Sequence, residues 1–158
     1  MQQATAWILQ LGDEIHAAIG EREMIHIIDN PELTLAETPN KYCRQQISWQ
    51  GTDLPVTDFR EWFMNSNVSQ NDVSYVAIVA FPEHNSDTPH YGGIVIEAIP
   101  YRTQVKDSQA CALPESSQSW QEVSISCFSD QGQATPILNL AALFSSLAVP
   151  SVAKSNFS

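Results

Sequence analysis

The sequence predicts an all-β fold with short helices, arranged as small barrels or as a sandwich. Short runs of β-branched and aromatic residues, such as 73–81 and 94–99, are separated along the chain by turn-forming residues. Helical patterns are few and short, and such an order of elements is typical of barrels and sandwiches. With 158 residues, the chain is long enough for one domain with its own core.

A pattern that occurs twice, at 51–63 and again at 132–144, also supports this fold class. Both copies carry a glycine, a proline and a final phenylalanine at matching positions, and an aspartate in the first copy is matched by an asparagine in the second. The repeat residues are Gly51, Pro55, Asp58 and Phe63 in the first copy, and Gly132, Pro136, Asn139 and Phe144 in the second. Each copy is therefore expected to form a turn, a strand and a short helix.

The residue types within the repeat explain this expectation. Asp58 and Asn139 can accept hydrogen bonds from the free amides at the start of a helix, and Glu61 adds a partial capping box. Proline lacks an N–H donor, so each repeat strand is expected at a sheet edge or with its proline nitrogen facing away from a neighbour. Apolar residues one, four and five positions after each cap share one helical face.

The first half of the chain holds one further clear element. Apolar runs at 7–11 and 15–19 flank a Gly-Asp-Glu sequence, which predicts a hairpin. The run at 21–28 is too short to be assigned as strand or helix. Residues 47–49 lead into the turn of the first repeat.

The second half begins after a polar stretch at 65–72, which is interpreted as a linker between the two halves. The runs 73–81 and 94–99 are expected to be strands. Apolar and polar residues alternate over 123–127, which predicts another strand before the turn of the second repeat. Residues 151–158 are expected to be a frayed tail.

Charge and composition exclude several kinds of partner. Seven Lys plus Arg face eighteen Asp plus Glu, and the formal net charge of −11 opposes binding to nucleic acid and to anionic membranes. The longest apolar run, 76–81, is far shorter than the roughly 20 residues of a membrane span. The first residues lack the basic and apolar regions of a secretory signal. Three cysteines at wide spacing suit a reducing cytoplasm, where we expect the protein to act.

Metal and catalytic sites are not expected, and neither is a cofactor. Of the four histidines, His84 and His90 flank Asp87 in one loop, but this spacing is no recognised ligand pattern. The sequence lacks the usual hydrolase, metalloprotease and phosphate-binding motifs. Acidic pairs such as Glu21 and Glu23 are expected on the surface of any chain this acidic. A small-molecule or metal-dependent enzyme that uses a groove between the two halves stays the alternative hypothesis.

Four segments, in order along the chain, together resemble one known family. They are Leu11-Gly12-Asp13-Glu14-Ile15, the first repeat at 51–63, Tyr91-Gly92-Gly93-Ile94-Val95, and Pro136-Ile137-Leu138-Asn139-Leu140. The chain resembles the CheW-like coupling proteins of bacterial chemosensory systems over residues 6–146. The resemblance implies a single domain at 1–150 built of two small five-stranded β-barrels around a shared apolar core, the first over about 6–64 and the second over about 73–146.

The resemblance also implies a function without catalysis or cofactors. CheW-like proteins are adaptors that join the regulatory domain of a CheA-type histidine kinase to the cytoplasmic tip of chemoreceptors. The acidity and the wide polar connection at 65–72 are more similar to the PilI-like variants of type IV pilus systems.

The partner-binding residues are inferred with one departure from the family. The usual Asn-Leu-Arg-Gly signature is Ser48-Trp49-Gln50-Gly51 here, so Gln50 stands in place of a partner-binding arginine and loses its charge. The predicted binding residues are Arg44, Ile47, Trp49, Gln50, Leu54, Val56 and Arg60, with Ile94 and Ile96 opposite them across an apolar groove. Taken singly, each apolar member is more typical of a core, and each arginine of a solvated surface. Gln45 also departs from the family, which has glycine there.

Overall fold

The computed structural model describes residues 3–12, 15–36, 42–63, 73–81, 90–113, 119–130 and 132–145. Within these ranges the strands are β1 (Gln3–Gly12), β2 (Ile15–Gly20), β3 (Met24–Asp29), β4 (Leu33–Leu35), β5 (Gln45–Trp49), β6 (Thr52–Thr57), β7 (Tyr75–Phe81), β8 (His90–Ile96), β9 (Tyr101–Lys106), β10 (Ser124–Asp130) and β11 (Gln133–Leu138). The α-helices are α1 (Phe59–Trp62), α2 (Ser119–Val123) and α3 (Leu140–Ser145), and Glu21–Glu23 and Asp107–Gln109 are 3₁₀ turns. The predicted all-β fold with short helices is confirmed.

Two sheets contain all of these strands. The five-stranded sheet has the order β10-β11-β2-β1-β9, and the six-stranded sheet has the order β3-β7-β8-β6-β5-β4. Most neighbours are antiparallel, but β11 pairs with β2 and β6 pairs with β8 in parallel. Each parallel pair joins strands from different halves of the chain.

The two sheets follow the same plan with the halves of the chain exchanged. In each, a hairpin (β1–β2 or β7–β8) forms the centre. On one side of this hairpin, the edge strand comes from the other half of the chain: β9 lies beside β1 in one sheet, and β3 lies beside β7 in the other. On the other side, the hairpin that carries the proline repeat also comes from the other half of the chain. The hairpin β10–β11 lies beside β2, and the hairpin β5–β6 lies beside β8. β4 is the additional strand of the six-stranded sheet.

This exchange corrects the predicted barrel boundaries. A first barrel over 6–64 and a second over 73–146 would each keep to one half of the chain, yet both sheets draw strands from both halves. The internal repeat suggested separate halves because sequence similarity does not record which strand a given strand pairs with.

Apolar side chains on alternate faces of the central strands form three clusters. On β7, Val76 and Ile78 point into a cluster within the six-stranded sheet, whereas Ala77 and Val79 point toward the five-stranded one. β1 shows the same alternation, with Ile8 inside its own sheet and Leu9 facing the other. We call the cluster that both sheets share the inter-sheet core. Because the central strands are buried on both faces, they read as continuous apolar runs.

Both copies of the repeat form the predicted turn, strand and capped helix. Gly51 and Gly132 adopt φ angles of 81° and 84°, which favour glycine. A side-chain oxygen of Asp58 accepts from the Arg60 amide at 3.0 Å, and that of Asn139 accepts from the Ala142 amide at 3.1 Å. These caps satisfy amides that the short helices leave free.

Of the two placements expected for the proline strands, the sheet edge is excluded, and a proline nitrogen that faces away from a neighbour stays a prediction. β6 lies between β5 and β8, and β11 lies between β10 and β2. Pro55 and Pro136 each come one residue before the first parallel pair, which is Val56 with Gly93 in one sheet and Ile137 with Ala18 in the other.

The other predicted elements form where the structure describes them, except that the run 94–99 is a strand only as far as Ile96, because β8 begins earlier, at His90. The hairpin at 7–19 forms as β1 and β2. The unassigned run 21–28 is a 3₁₀ turn followed by β3. The linker at 65–72 and the tail at 151–158 lie outside the described residues.

Gly92 on β8 is required by the helix of the second repeat. A Cβ atom at this position would lie 2.6 Å from Cε1 of Phe144 on α3. The Phe144 ring also stacks on Phe81 with centroids 5.4 Å apart, which restricts how far it can shift. The absence of a side chain at Gly92 therefore sets how closely α3 packs on the six-stranded sheet.

Separated halves of the chain are expected not to fold. Residues 1–68 and 69–158, expressed alone, should show no cooperative thermal transition by circular dichroism, because each repeat hairpin would lack the strand it pairs with. The intact chain is the control and should melt in one transition. A monomeric half that melts cooperatively would contradict the exchanged arrangement.

Replacing Gly92 by alanine should destabilise the protein by about 1–3 kcal/mol, because the new methyl group overlaps the Phe144 ring. The free energy of unfolding from urea denaturation measures the change. The double variant G92A/F144L gives the added methyl room and should cost less than the sum of the two single changes. Simple additivity would show that the contact with Phe144 is not responsible.

Candidate partner-binding site

Two polar members of the predicted site, Arg44 and Gln50, flank the outward face of β5. Along β5, Gln45 and Ile47 are buried, whereas Gln46 and Ser48 reach the surface, as a strand with one solvated face requires. Arg44 and Gln50 are exposed just before and just after this strand. At about 3.3 Å per residue, they lie roughly 20 Å apart at the two ends of the strand.

A tight two-residue turn presents Gln50. Trp49 pairs with Thr52, so Gln50 and Gly51 alone connect β5 to β6. Both have positive φ angles, 51° for Gln50 and 81° for Gly51, as in the type I′ turns that connect hairpins. This conformation is uncommon for a residue with a long side chain. The pairing of β5 with β6 thus holds the Gln50 backbone in a defined place at the tip.

Two half-buried aromatic rings support the tip from the inner face. Trp49 and Tyr91 lie with ring centroids 5.4 Å apart and planes tilted by 53°. Both pack against the cluster inside the six-stranded sheet. Trp49 is therefore partly available to a partner and partly a support for the turn.

Charged and apolar groups surround Arg44 at the other end. The Arg44 carbonyl accepts a hydrogen bond from the Ala36 amide at 3.0 Å, which extends the pairing of β4 and β5. Leu35, on this edge strand, is 72% exposed. Burial and the nearby Asp58 raise the pKa of Glu61, while Arg44 and Arg60 act in the opposite direction. Arg44 thus adds positive potential to an exposed edge that carries an apolar side chain.

Arg60 has a structural role that the sequence did not predict. Its guanidinium donates two hydrogen bonds to the Asp58 carboxylate, at 3.1 and 2.9 Å, and its Nη1 lies 3.8 Å from Glu97. The side chains of Arg60 and Asp58 are only 12% and 1% exposed. Glu97 in turn donates its amide to the Gln10 carbonyl on β1. Arg60 therefore connects the start of α1 to the junction of the two sheets and is no solvated surface charge.

The apolar groove predicted from the sequence is not formed by the residues assigned to it. Ile47, Leu54 and Val56 lie inside the six-stranded sheet at 5% exposure or less. Ile94 and Ile96 are fully buried in the inter-sheet core. These side chains fill the interior because they lie on the covered faces of β5, β6 and β8.

Comparison with known proteins agrees with this architecture. The model of the CheW-like domain matches residues 6–148. The chain belongs to the CheW-like domain family. Among solved structures, this CheW-like domain is similar to the scaffolding protein TtCheW from Thermoanaerobacter tengcongensis, with a TM-score of 0.69 and 13% sequence identity over 90% of this chain and 93% of that one. At this identity the likeness supports the fold alone. No curated protein matches the sequence.

Three residues of the CheW-like domain that sequence reasoning missed are Leu35, Tyr91 and Glu97. Leu35 lies in a segment whose pairing the sequence does not reveal. Tyr91 precedes the two glycines of a family segment, and its position beside them is the one signal that could have drawn attention to it. Glu97 is one acidic residue among many, and no pattern relates it to Arg60.

The residues considered for metal binding lie apart. His16 is on β2, His26 on β3, and His90 begins β8, with its ring 5.9 Å from that of Phe81. Within the described ranges no three His, Cys, Asp or Glu side chains are grouped to hold a metal ion. His84 and Asp87 fall outside those ranges.

Glu21 and Glu23, the acidic pair considered for acid–base chemistry, each contact a different group. Glu21 forms an ion pair with Arg102 at 3.2 Å, and Glu23 accepts from the Gly20 amide at 2.7 Å. No helix in the described part of the chain is long and apolar enough to cross a membrane.

Removing the Asp58 carboxylate should cost more stability than removing the matching cap in the second repeat. Asp58→Ala removes a helix cap and leaves the buried Arg60 charge without its main partner, for an expected loss of about 3–5 kcal/mol. Asn139→Ala removes a cap alone and should cost about 1 kcal/mol. Urea denaturation of both variants measures the difference. Equal losses would mean that the ion pair adds nothing to the cap.

Proposed function

We propose that this protein is a non-catalytic adaptor that couples a CheA-type histidine kinase to chemoreceptors in a chemosensory complex. The match of the CheW-like domain model to residues 6–148 carries this proposal. The similarity in fold to a protein described as a scaffolding protein supports it. The regulatory domain of the kinase and the cytoplasmic tip of the receptor are the proposed partners, and the cytoplasm is the proposed location. A PilI-like role in a type IV pilus system is the finer form of the same proposal.

The outward face of β5 is the proposed contact surface for one partner. It runs from Arg44 to Gln50, about 20 Å, which suits a protein interface of standard size with about 800 Å² per partner. Gln46 and Ser48 between them can exchange hydrogen bonds without a buried charge, as in the polar rim of many interfaces. The half-buried Trp49 ring offers an aromatic anchor beside the tip.

Gln50 changes what the tip of the hairpin recognises. An arginine there would offer a charged fork to a carboxylate, whereas the glutamine amide donates and accepts neutral hydrogen bonds. The partner of this protein is therefore expected to present an amide, a hydroxyl or a backbone group opposite the tip. The nearest cation of the predicted set that is free for a partner is Arg44, because Arg60 is engaged by Asp58.

The adaptor mechanism follows from the way the sheets are joined. The inter-sheet core is filled by side chains from β1, β2, β7, β8 and all three α-helices. A well-packed core of this kind transmits displacement instead of absorbing it. A partner bound to the six-stranded sheet is thus held in a fixed orientation relative to one bound to the five-stranded sheet.

Calorimetric titration of the intact protein with a purified CheA-type regulatory domain, and separately with a receptor tip, tests the proposal. Binding heat is expected with at least one of them. Arg44→Glu should weaken the affinity for that partner about tenfold, equivalent to about 1.4 kcal/mol. Gln50→Arg should change the affinity at least threefold, because it replaces the amide by a charge at the tip.

Lys106→Glu is the matched control, since this exposed cation lies on β9 of the other sheet. It should leave the affinity for the β5 partner within twofold. The absence of heat with both partners, or an equal loss in the Lys106 and Arg44 variants, would contradict the proposed surface. Arg60→Glu is unsuitable for this test because it would disrupt the buried pair with Asp58.

A further inference from the structure

Two cysteines lie side by side at one margin of the five-stranded sheet. The Sγ atoms of Cys111 and Cys127 are 3.4 Å apart, and both are free thiols. The Cys111 amide donates a hydrogen bond to the Cys127 carbonyl at 3.1 Å. Cys127 is on β10, and Cys111 follows the 3₁₀ turn after β9. The two opposite edges of the five-stranded sheet therefore meet at this cysteine pair.

This meeting closes the five-stranded sheet into a barrel. β9 and β10 are its two edge strands, and the segment after β9 reaches β10 through one bridge between Ala110 and Phe128. Two side chains assist: Gln109 Nε2 donates to the Ser129 carbonyl at 3.0 Å, and the Tyr101 hydroxyl donates to the Asp130 carboxylate at 3.0 Å. We call these contacts, together with the cysteine pair, the closure line.

The backbone places the two cysteines within reach of a disulfide bond. Cys111 and Cys127 come directly next to the antiparallel bridge between Ala110 and Phe128, and residues opposite one another in antiparallel strands have Cα separations of about 4.5–5.5 Å. These separations lie inside the range of about 4.4–6.8 Å that disulfides span. The sulfur atoms need to approach by a little more than 1 Å from 3.4 Å to reach bonding distance.

We propose that Cys111 and Cys127 form a reversible disulfide under hydroperoxide stress, and that this bond locks the closure line of the five-stranded barrel. The proposal concerns the redox chemistry of the chain and does not depend on the partners proposed above.

The two thiols have distinct roles in the reaction. Cys111 is exposed and meets the oxidant first, giving a sulfenic acid and one water as the peroxide O–O bond breaks. Cys127 is buried, and its pKa is raised to about 12 by burial and by the adjacent Cys111, so the sulfenic acid is expected to form on Cys111 and not on Cys127. Its sulfur then bonds to that of Cys111, and the sulfenic oxygen leaves with the Cys127 proton as a second water. Two thiols are oxidised by two electrons, and one peroxide is reduced; a dithiol reductant reverses the step.

The third cysteine provides an internal comparison. Cys43 is buried in the inter-sheet core, and burial raises its pKa to about 12. Its sulfur lies 4.0 Å from the Leu143 carbonyl. Cys43 is therefore expected to stay reduced while the pair reacts.

Mass spectrometry of the intact protein tests the proposal. After treatment with hydrogen peroxide, denaturation and labelling with N-ethylmaleimide, one label is expected, on Cys43, and three are expected after reduction with dithiothreitol. A peptide that links Cys111 to Cys127 should be found. The closed loop of about 15 residues should raise the melting temperature by about 5–10 °C, and dithiothreitol should abolish the rise.

Cys111→Ser is the decisive variant because this position is exposed and the fold should tolerate it. The variant should keep two labels after oxidation and show no rise in melting temperature. Cys43→Ala should still form the disulfide between Cys111 and Cys127 and should still show the rise in melting temperature. If this variant fails to fold, peptide mapping of the wild-type protein decides the pairing instead. The proposal is overturned if Cys111 ends as a sulfinic acid or an intermolecular disulfide while Cys127 stays free, or if the linked protein melts at the same temperature as the reduced one.

Discussion

The structure depends on parallel pairing between strands from opposite halves of the chain. Among the described strands, β6 joins the central hairpin of its sheet by pairing with β8, and β11 does so by pairing with β2. Each repeat therefore completes the sheet built around the hairpin of the other half. Because long-range pairs of this kind form only after a large loop is closed, they tie the stability of either sheet to that of the whole chain. The inter-sheet core that both sheets share follows from this exchange.

Local chemistry in the sequence was sufficient to predict much of the fold. The turn glycines, Asp58 and Asn139 act through neighbours three residues away or less, and such contacts can be read from spacing. The strand exchange could not be predicted in this way, because β6 and β8 are both apolar runs with many possible partners. The same gap explains why the two proline strands could not be assigned to an edge or to the interior of a sheet from the sequence. A proline restricts hydrogen bonding on one side of a strand and does not identify the strand on the other side.

The candidate site was predictable only at its exposed ends. Arg44 and Gln50 were identified from their position around a recognised segment, and both are on the surface. Ile47, Leu54 and Val56 were assigned to a groove, yet alternation along a strand does not say which of its faces is covered. Arg60 is the opposite case, a residue expected on the solvated surface that the structure places largely inside. A lone arginine on an acidic chain is usually solvated, but the buried oxygens of Asp58 and the nearby Glu97 hold this one in place, and no spacing in the sequence records the contact with Glu97.

The two sheets differ in how their margins are held, and this difference gives the cysteine pair its importance. The six-stranded sheet extends past its repeat hairpin by β4, whose three residues pair with β5 and are followed by a further hydrogen bond from Ala36 to Arg44. In the described part of the five-stranded sheet, the margin at β10 is joined to the segment after β9 by one bridge and a few side-chain contacts. Opening this margin breaks few hydrogen bonds, so it is expected to cost less than opening any central pair of strands. A covalent bond between Cys111 and Cys127 would act where the barrel is held most weakly, and it would leave the outward face of β5 unaltered.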